Sequence, residues 1–220
     1  MARQKRTTKE KLMDAAEKLF ARRGFHGTSL RDITSAAGVD LALVNYHFGS
    51  KQQLLAAVIE RRGQVLNDRR RQRLTEIRLK AAPAAPSTED VIAAFLDPLL
   101  ELLEHAGPGW HSYFSLLAYV NNSPEWGQKL MSKTFDAVVR EFIQALRDSL
   151  PGAAPEDILW GYNFLTGSLT LSLAETGRLD VLSDGLCRSN DVQSLQQRLG
   201  RYAAAGMRGL ASRRPPPKAD

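Results

Sequence analysis

Apolar residues recur along this chain at the spacing of amphipathic α-helices. The first such stretch places five apolar side chains on one helix face, at i, i+3, i+4, i+7 and i+8: Leu12, Ala15, Ala16, Leu19 and Phe20. The strict alternation of apolar and polar residues that marks a half-buried strand does not occur convincingly anywhere in the sequence. We therefore predict an all-α protein with about nine helices.

Polar caps, glycines and prolines predict where the helices begin and end. Gly38 supplies the left-handed conformation that a tight turn between two short helices requires. Ser50 is typical of an N-cap and opens a long helix that we expect to reach about residue 80. Ser123 followed by Pro124 predicts the start of another helix, which should run to Leu150. The Ala- and Pro-rich segment 81–87 is the best candidate for a linker between two domains.

The distribution of charge changes the picture more than the overall composition does. Residues 1–80 hold 18 Lys and Arg against 8 Asp and Glu, a net charge of +10, whereas the remaining 140 residues carry a net charge of −4. A basic first third indicates a module that binds a polyanion. The single cysteine, Cys187, and the lack of any apolar stretch of about 20 residues favour a cytoplasmic protein that does not enter a membrane.

The segment from residue 29 to residue 48 has the pattern of a helix-turn-helix. Leu30 and Ile33 can bury the first short helix, and Val44 and Phe48 the second, with Gly38 at the turn. In this motif the second helix lies in the major groove of DNA. An αα-hairpin within a helical bundle has the same spacing, but the net positive charge of residues 1–80, which include this motif, favours DNA binding.

These residues resemble the N-terminal domain of the TetR family of bacterial transcriptional regulators. The matching run is Thr28-Ser29-Leu30-Arg31-Asp32-Ile33, then Ala37-Gly38-Val39, then Asn45-Tyr46-His47-Phe48-Gly49-Ser50-Lys51. The similarity extends over residues 6–66, which it implies to be the DNA-binding domain. Two positions depart from the family pattern. Asn45 stands where the family often has a tyrosine that contacts phosphate, and Asp40 stands where the helix cap is more often Ser or Thr.

The resemblance and the residue chemistry together predict a set of DNA contacts. Hydroxyl and backbone N–H groups at the start of the second helix suit phosphate, and outward side chains of the third helix suit base edges. The predicted DNA-binding residues are Thr28, Ser29, Arg31, Leu41, Ala42, Asn45, Tyr46, His47 and Lys51. The later basic run, residues 69–73, we interpret instead as a solvated face of the fourth helix.

Residues 84–212 resemble, more weakly, the regulatory domains of the TetR branch that includes fatty-acid-responsive repressors. That resemblance implies a ligand-binding and dimerisation domain, with a fatty acyl compound as the candidate effector. Large apolar residues of this domain are predicted to line a cavity between helices: Phe95, Leu99, Trp110, Phe114, Leu117, Phe135, Val138, Phe142, Trp160 and Phe164. A filled core with no cavity is the alternative for each of them.

The helix that begins at Pro155 is apolar on two sides, which indicates a position inside the bundle or at a subunit interface. The resemblance favours an interface between two copies, formed with the last helix. The predicted interface residues are Tyr162, Leu165, Leu169, Leu173, Leu195, Leu199 and Tyr202. The proline-rich tail, residues 213–220, is predicted to be disordered.

The sequence therefore predicts a homodimeric, ligand-responsive transcriptional regulator. We interpret it as a repressor that leaves a palindromic, double-stranded operator when a small, largely apolar effector binds. Two alternatives stay open: a small-molecule-binding or catalytic helical protein with an incidental basic domain, and a regulator without a ligand. Catalytic and nucleotide-binding fingerprints are absent from the sequence. Glu101 and His105 could hold a metal, but a third ligand is not securely placed, because Pro108 separates them from His111, so we expect no enzyme activity, cofactor or metal.

Overall fold

The computed structural model describes residues 7–212, and the predicted disordered tail lies outside them. Within that range the chain forms ten α-helices and one π-helical turn. The helices are α1 Thr8–Arg23, α2 Leu30–Ala37, α3 Leu41–Phe48, α4 Lys51–Ala81, α5 Thr88–His105, α6 Pro108–Asn121, α7 Ser132–Ser149, α8 Pro155–Leu173, α9 Arg178–Leu182 and α10 Val192–Ala211. The predicted all-α class is confirmed.

The first three helices form a small domain whose ends are fixed by local chemistry. The Ser29 hydroxyl accepts a hydrogen bond from the backbone N–H of Asp32, and the Asp32 carboxylate accepts one from the backbone N–H of Ser29, which completes a capping box at α2. Gly38, at φ 65° and ψ 43°, turns the chain from α2 into α3. Ile33 and Val44 are fully buried and hold the two short helices against α1.

The long helix α4 joins this domain to the rest of the protein. It packs against α1 near its beginning and against α5 and α7 further along. The remaining core is built from α5, α6, α7, α8 and α10, with α8 lying between α6, α7 and α10. A continuous set of buried apolar side chains runs through both parts of the chain. The two parts are therefore joined by one continuous helix, without a loop between them.

The predicted helix boundaries hold except around residues 123–131 and 173–182. The helix expected to begin at Pro124 does not begin there, because Ser123 O accepts hydrogen bonds from Trp126 N and Gly127 N in a turn. A π-helical turn, Gly127–Met131, follows, and α7 begins at Ser132. The short helix α9 was not predicted, since five residues carry no measurable periodicity. None of the helices within residues 7–212 is long and apolar enough to cross a bilayer.

Candidate functional site

The outer face of α2 and α3 presents polar and apolar side chains to solvent. Tyr46 is 82% exposed, although its ring is aromatic, and Leu41 is also exposed. Ala42 and Asn45 lie on the same outward side of α3, and Arg31 is exposed on α2. Folding alone does not favour an exposed tyrosine of this size on a short helix, so the surface suits contact with another molecule.

The remaining predicted contact on α3, His47, is half-buried. Its ring lies edge-on to Tyr46, with 5.0 Å between the ring centres. At the other end of α3 the Asp40 carboxylate accepts a hydrogen bond from the backbone N–H of Ala42, at 2.7 Å. The helix is therefore capped by its own residue, and the departure from Ser or Thr at position 40 preserves the cap.

Two residues predicted to contact phosphate, Thr28 and Ser29, use their donors in hydrogen bonds within the protein. Thr28 is buried, and its hydroxyl donates to the carbonyl of Gly24 at 2.9 Å. The hydroxyl and backbone N–H of Ser29 both donate to the Asp32 carboxylate, at 2.6 and 2.8 Å, and these bonds lower the pKa of Asp32. The prediction that the Thr28 side chain meets phosphate is wrong, because the hydroxyl closes the turn between α1 and α2. The donors of Ser29 would have to leave Asp32 before they could bind phosphate.

Lys51 has a structural position that the sequence did not predict. Its ammonium group donates to the carbonyls of Phe25 and Thr28, at 2.9 and 2.8 Å. The Nζ atom also lies 4.1 Å from the centre of the Phe25 ring. Lys51 therefore ties the start of α4 to the turn after α1 and faces the protein, where we had expected it to face DNA.

Sequence reasoning missed Lys9 as a member of this surface. Lys9 is exposed in the first turn of α1, and its Nζ atom lies 6.0 Å from the centre of the Phe48 ring at the end of α3. A cation at the N-terminus of a helix opposes the helix dipole, so its presence there favours an external anion. That unfavourable placement was the signal available in the sequence.

A buried ion pair connects α1 to α4 and α6. Glu17 is 2% exposed, and its carboxylate accepts bonds from Arg62 Nε and Nη2 at 2.6 and 2.9 Å. Arg61 also donates to Glu17, at 3.2 Å, and the Arg62 guanidinium lies 4.8 Å from the centre of the Trp110 ring. Since Trp110 is part of α6, this cluster joins α6 and α4 to α1 of the first domain.

A second contact between the two parts of the chain lies at the other end of α6. The Phe25 ring packs on Trp126, with ring centres 4.7 Å apart, and His26 Nε2 lies 2.9 Å from a carboxylate oxygen of Glu125. The first domain is therefore held at two places by residues that flank or belong to α6.

Most of the predicted pocket residues lie in the core of the second part. Eight are buried: Phe95, Leu99, Trp110, Phe114, Leu117, Phe135, Val138 and Phe142. The other two are not, since Trp160 is 58% exposed and Phe164 is 52% exposed. These two rings stack on each other outside the bundle, with centres 5.7 Å apart. Their assignment to an internal cavity is wrong.

The predicted interface residues are largely inside the subunit. Leu165, Leu169, Leu173 and Leu199 are buried. Tyr162 is half-buried, with its ring edge against Phe95, and Leu195 is half-buried on α10. Only Tyr202 is fully on the surface, at 66% exposed. The inward and outward faces of α8 are therefore exchanged relative to the prediction, because the face predicted to meet a second subunit is packed inside its own subunit. The face with Trp160, Phe164 and Leu171 is outward.

The fold and this surface define a class of protein: a helix-turn-helix domain joined by a continuous helix to an α-helical bundle. Residues 12–58 match the family model for bacterial regulatory proteins of the TetR family. Residues 93–206, more than half of the chain, match the model for the tetracyclin repressor-like C-terminal domain. The chain belongs to the TetR family of bacterial regulatory proteins.

Individual relatives are similar over part or all of the chain. An HTH-type transcriptional repressor of Mycobacterium tuberculosis is 38% identical over 86 residues, which cover 39% of this chain and 39% of that protein. The matched part is thus well under half the length of the first curated relatives. The structure of the fatty acid degradation regulator FadR from Bacillus halodurans has a TM-score of 0.66 at 16% identity, covering 94% of this chain and 99% of that one. FadR from Bacillus subtilis, solved with stearoyl-CoA, has a TM-score of 0.57 at 18% identity, covering 89% and 97%. At such identities the likeness is one of fold.

Proposed function

We propose that the protein is a homodimeric transcriptional repressor that binds a palindromic operator and leaves it when a small effector binds. The observation that carries this proposal is the exposed face of α3, with Tyr46 82% exposed, in a chain of the TetR family. A regulator of this kind acts on the chromosome, so we place it in the bacterial cytoplasm, and we propose no catalytic activity.

The DNA contacts that we propose follow from exposure. Leu41, Ala42, Asn45 and Tyr46 are exposed on α3, and His47 is half-buried beside them. A helix of this kind enters the major groove with its outer side chains on base edges and phosphates. Arg31 and Lys9 add exposed positive charge on either side of α3 and suit the phosphate backbone.

The proposed dimer forms through the outward face of α8. Trp160, Phe164, Gly167 and Leu171 recur at i, i+4, i+7 and i+11 and are all exposed. An apolar stripe of this kind on a monomer is a typical interaction site. Gly167 leaves room for close approach of a second helix, and on its other face α8 is already packed against α10. Two copies of α8 that pack on each other would bury the stripe and place two copies of α3 on one side of the dimer.

The effector is proposed to act through α6. Trp110, on α6, contacts Arg62, which pairs with Glu17 on α1. A ligand that separates the core helices shifts α6 and moves α1 relative to α4, which changes the spacing of the two α3 helices in the dimer. Because the likeness to FadR is one of fold, the acyl thioester in the Bacillus subtilis structure is a candidate ligand class only.

The proposal is tested by selecting bound sequences from a random duplex library with the purified full-length protein. We expect a palindrome whose half-sites are about one helical turn apart. Binding should weaken steeply with salt, with a log–log slope larger than about 5 in magnitude, because each neutralised phosphate contributes about 0.9. Enrichment of no sequence, or equal affinity for single half-sites, would contradict it.

The oligomeric state is tested by light scattering coupled to gel filtration. We expect two copies of the 24.4 kDa chain. A monomer at concentrations well above those that bind DNA would rule out the proposed interface. The alternative of an α-helical small-molecule-binding protein predicts ligand binding with no sequence-specific DNA binding.

A further inference from the structure

Arg70, on α4, is the one buried arginine among residues 7–212, at 4% exposed. The interpretation of residues 69–73 as a solvated helix face is therefore wrong for Arg70. Its Nε atom donates to the carbonyl of Phe95 at 2.9 Å, and the guanidinium carbon lies 3.7 Å from the centre of the Phe95 ring. Its two Nη atoms make no hydrogen bond to the described residues and are not fully enclosed, since the buried polar side-chain atoms without a partner there belong to Arg61, Asn67 and Trp126.

The charge of Arg70 has no carboxylate partner in the part of the chain that the structure describes, which sets it apart from its neighbours. Five more exposed arginines pair with acidic side chains: Arg61, Arg62, Arg71, Arg73 and Arg208. Burial lowers the pKa of Arg70 to about 10, and the nearby ionisable groups are the phenols of Tyr162 and Tyr113, which are neutral at pH 7. Arg70 therefore stays a buried cation at neutral pH, although buried charges are normally paired.

A buried acceptor without a partner among the described residues lies one helical turn away, on Asn67. Asn67 is 7% exposed, and its Nδ2 atom donates to the carbonyl of Thr134 at 2.7 Å. Its Oδ1 atom is buried and has no hydrogen-bond partner within residues 7–212. Residues three apart on a helix are neighbours on one face. Asn67 and Arg70 thus place an unused acceptor and unused cationic donors on the same side of α4.

The surroundings of these two side chains are aromatic. The Arg70 guanidinium lies over the Phe95 ring. The Phe95 ring makes edge-type contacts with the rings of Phe142 and Tyr162, whose centres are 5.3 and 5.9 Å away. These rings come from α5, α7 and α8, so the polar groups lie where several core helices meet. A charged head and an apolar body are the two features that this environment would accommodate in one ligand.

We propose that Arg70 binds the carboxylate of an organic acid whose apolar body inserts among the aromatic rings of the core. The acid would supply the anion that the buried guanidinium lacks, in the bidentate geometry that guanidinium and carboxylate share. Its role as effector rests on the proposed function, whereas its binding does not. A coenzyme A thioester has no carboxylate at the acyl end, so this site selects the free acid over the thioester.

The first experiment compares ligands that differ only at the head. The full-length dimer is titrated by calorimetry, in the absence of DNA, with straight-chain carboxylates of four to eighteen carbons and with 2-naphthoate. Each is matched by the alcohol of the same skeleton, and decanoate also by decanoyl-CoA. We expect at least one carboxylate to bind about 10- to 150-fold more tightly than its alcohol, as for a hydrogen bond to a charged group. Equal affinities for acid and alcohol, tighter binding of the thioester, or binding of no acid would overturn the proposal.

Variants separate a ligand contact from a structural role. Arg70→Met should lose the preference for the acid and bind acid and alcohol alike, whereas Arg70→Lys should keep part of it. Arg71→Met is the matched control, because Arg71 is the next residue on α4 and pairs with Glu141 on the surface. Thermal melts of each variant report whether the fold is intact. If Arg70→Met does not fold, the acid preference of Arg70→Lys decides the test. A full acid preference in a folded Arg70→Met or Arg70→Lys variant would assign Arg70 to packing alone.

A final measurement separates this inference from the proposed function. The acid found by calorimetry is added to the protein bound to its selected operator, and we expect release of the DNA. Acid binding through Arg70 without any DNA binding would contradict the proposed function and leave the site intact. DNA binding with no acid-selective site would contradict this inference and leave the proposed function intact.

Discussion

Replacing Lys51 with methionine separates a structural lysine from a DNA contact. The substitution keeps the apolar stem and removes an ammonium group that donates to Phe25 O and Thr28 O and lies 4.1 Å from the Phe25 ring centre. A hydrogen bond from a charged group contributes about 1.5–3 kcal/mol, and an exposed cation–π contact about 0.5–1 kcal/mol. Lys51 is partly exposed, so the lower values apply to both hydrogen bonds and to the cation–π contact, and we expect the free energy of unfolding to fall by about 3.5 kcal/mol.

The assay is urea denaturation followed by circular dichroism, with the slope of the transition compared between variants. Lys18→Met is the control, because it makes the same change of charge at an exposed position on α1 and should shift stability by less than about 0.5 kcal/mol. If Lys51→Met has the same free energy of unfolding as the Lys18→Met control but has lost operator affinity, the structural role of Lys51 is refuted. Lys51 would then be the phosphate contact that the family resemblance implies.

Three further substitutions test other parts of the structure. Tyr46→Ala should weaken operator binding about tenfold in a mobility shift, as for loss of a bond to charged phosphate, and leave the unfolding midpoint unchanged; a large loss of stability would mean that the ring packs inward. Gly63→Ala places a methyl group 2.5 Å from Thr134 Cγ2, so we expect a loss of about 1–3 kcal/mol in urea denaturation, partly restored by Thr134→Ser. No rescue would indicate that the clash lies elsewhere. Phe164→Glu should give a folded monomer by light scattering, and an unchanged dimer would exclude the α8 face.

The sequence by itself determined most of the helices and their ends, because these depend on interactions within a few residues. The capping box of Ser29 and Asp32 and the left-handed Gly38 act over three or four positions, so they can be read without knowledge of the fold. The same is true of the helix-turn-helix, whose order and spacing of residues is a local pattern. The family followed from that pattern and is confirmed by the matches in both parts of the chain.

The tertiary structure alone decided which side of α8 is the core. Both faces of the helix are apolar, so periodicity identified the stripes correctly but could not rank them. The packing of α10 against α8 determines which face is buried. A Cβ atom at Gly161 would lie 3.0 Å from Met207 Cγ, so the two helices approach closely on the side of Gly161 and bury Leu165 and Leu169. Trp160 and Phe164 are left outside.

Charged side chains were the other feature that only the tertiary structure could place. The resemblance to the TetR family implied a DNA contact for Lys51, and the basic run 69–73, which includes Arg70, was interpreted as a solvated helix face. Their partners are backbone carbonyls and an aromatic ring that lie 23 to 26 residues away in the chain. The sequence determines that a lysine or an arginine carries a charge. Whether that charge is solvated, tied to a turn or buried depends on which distant groups the packing of helices brings beside it.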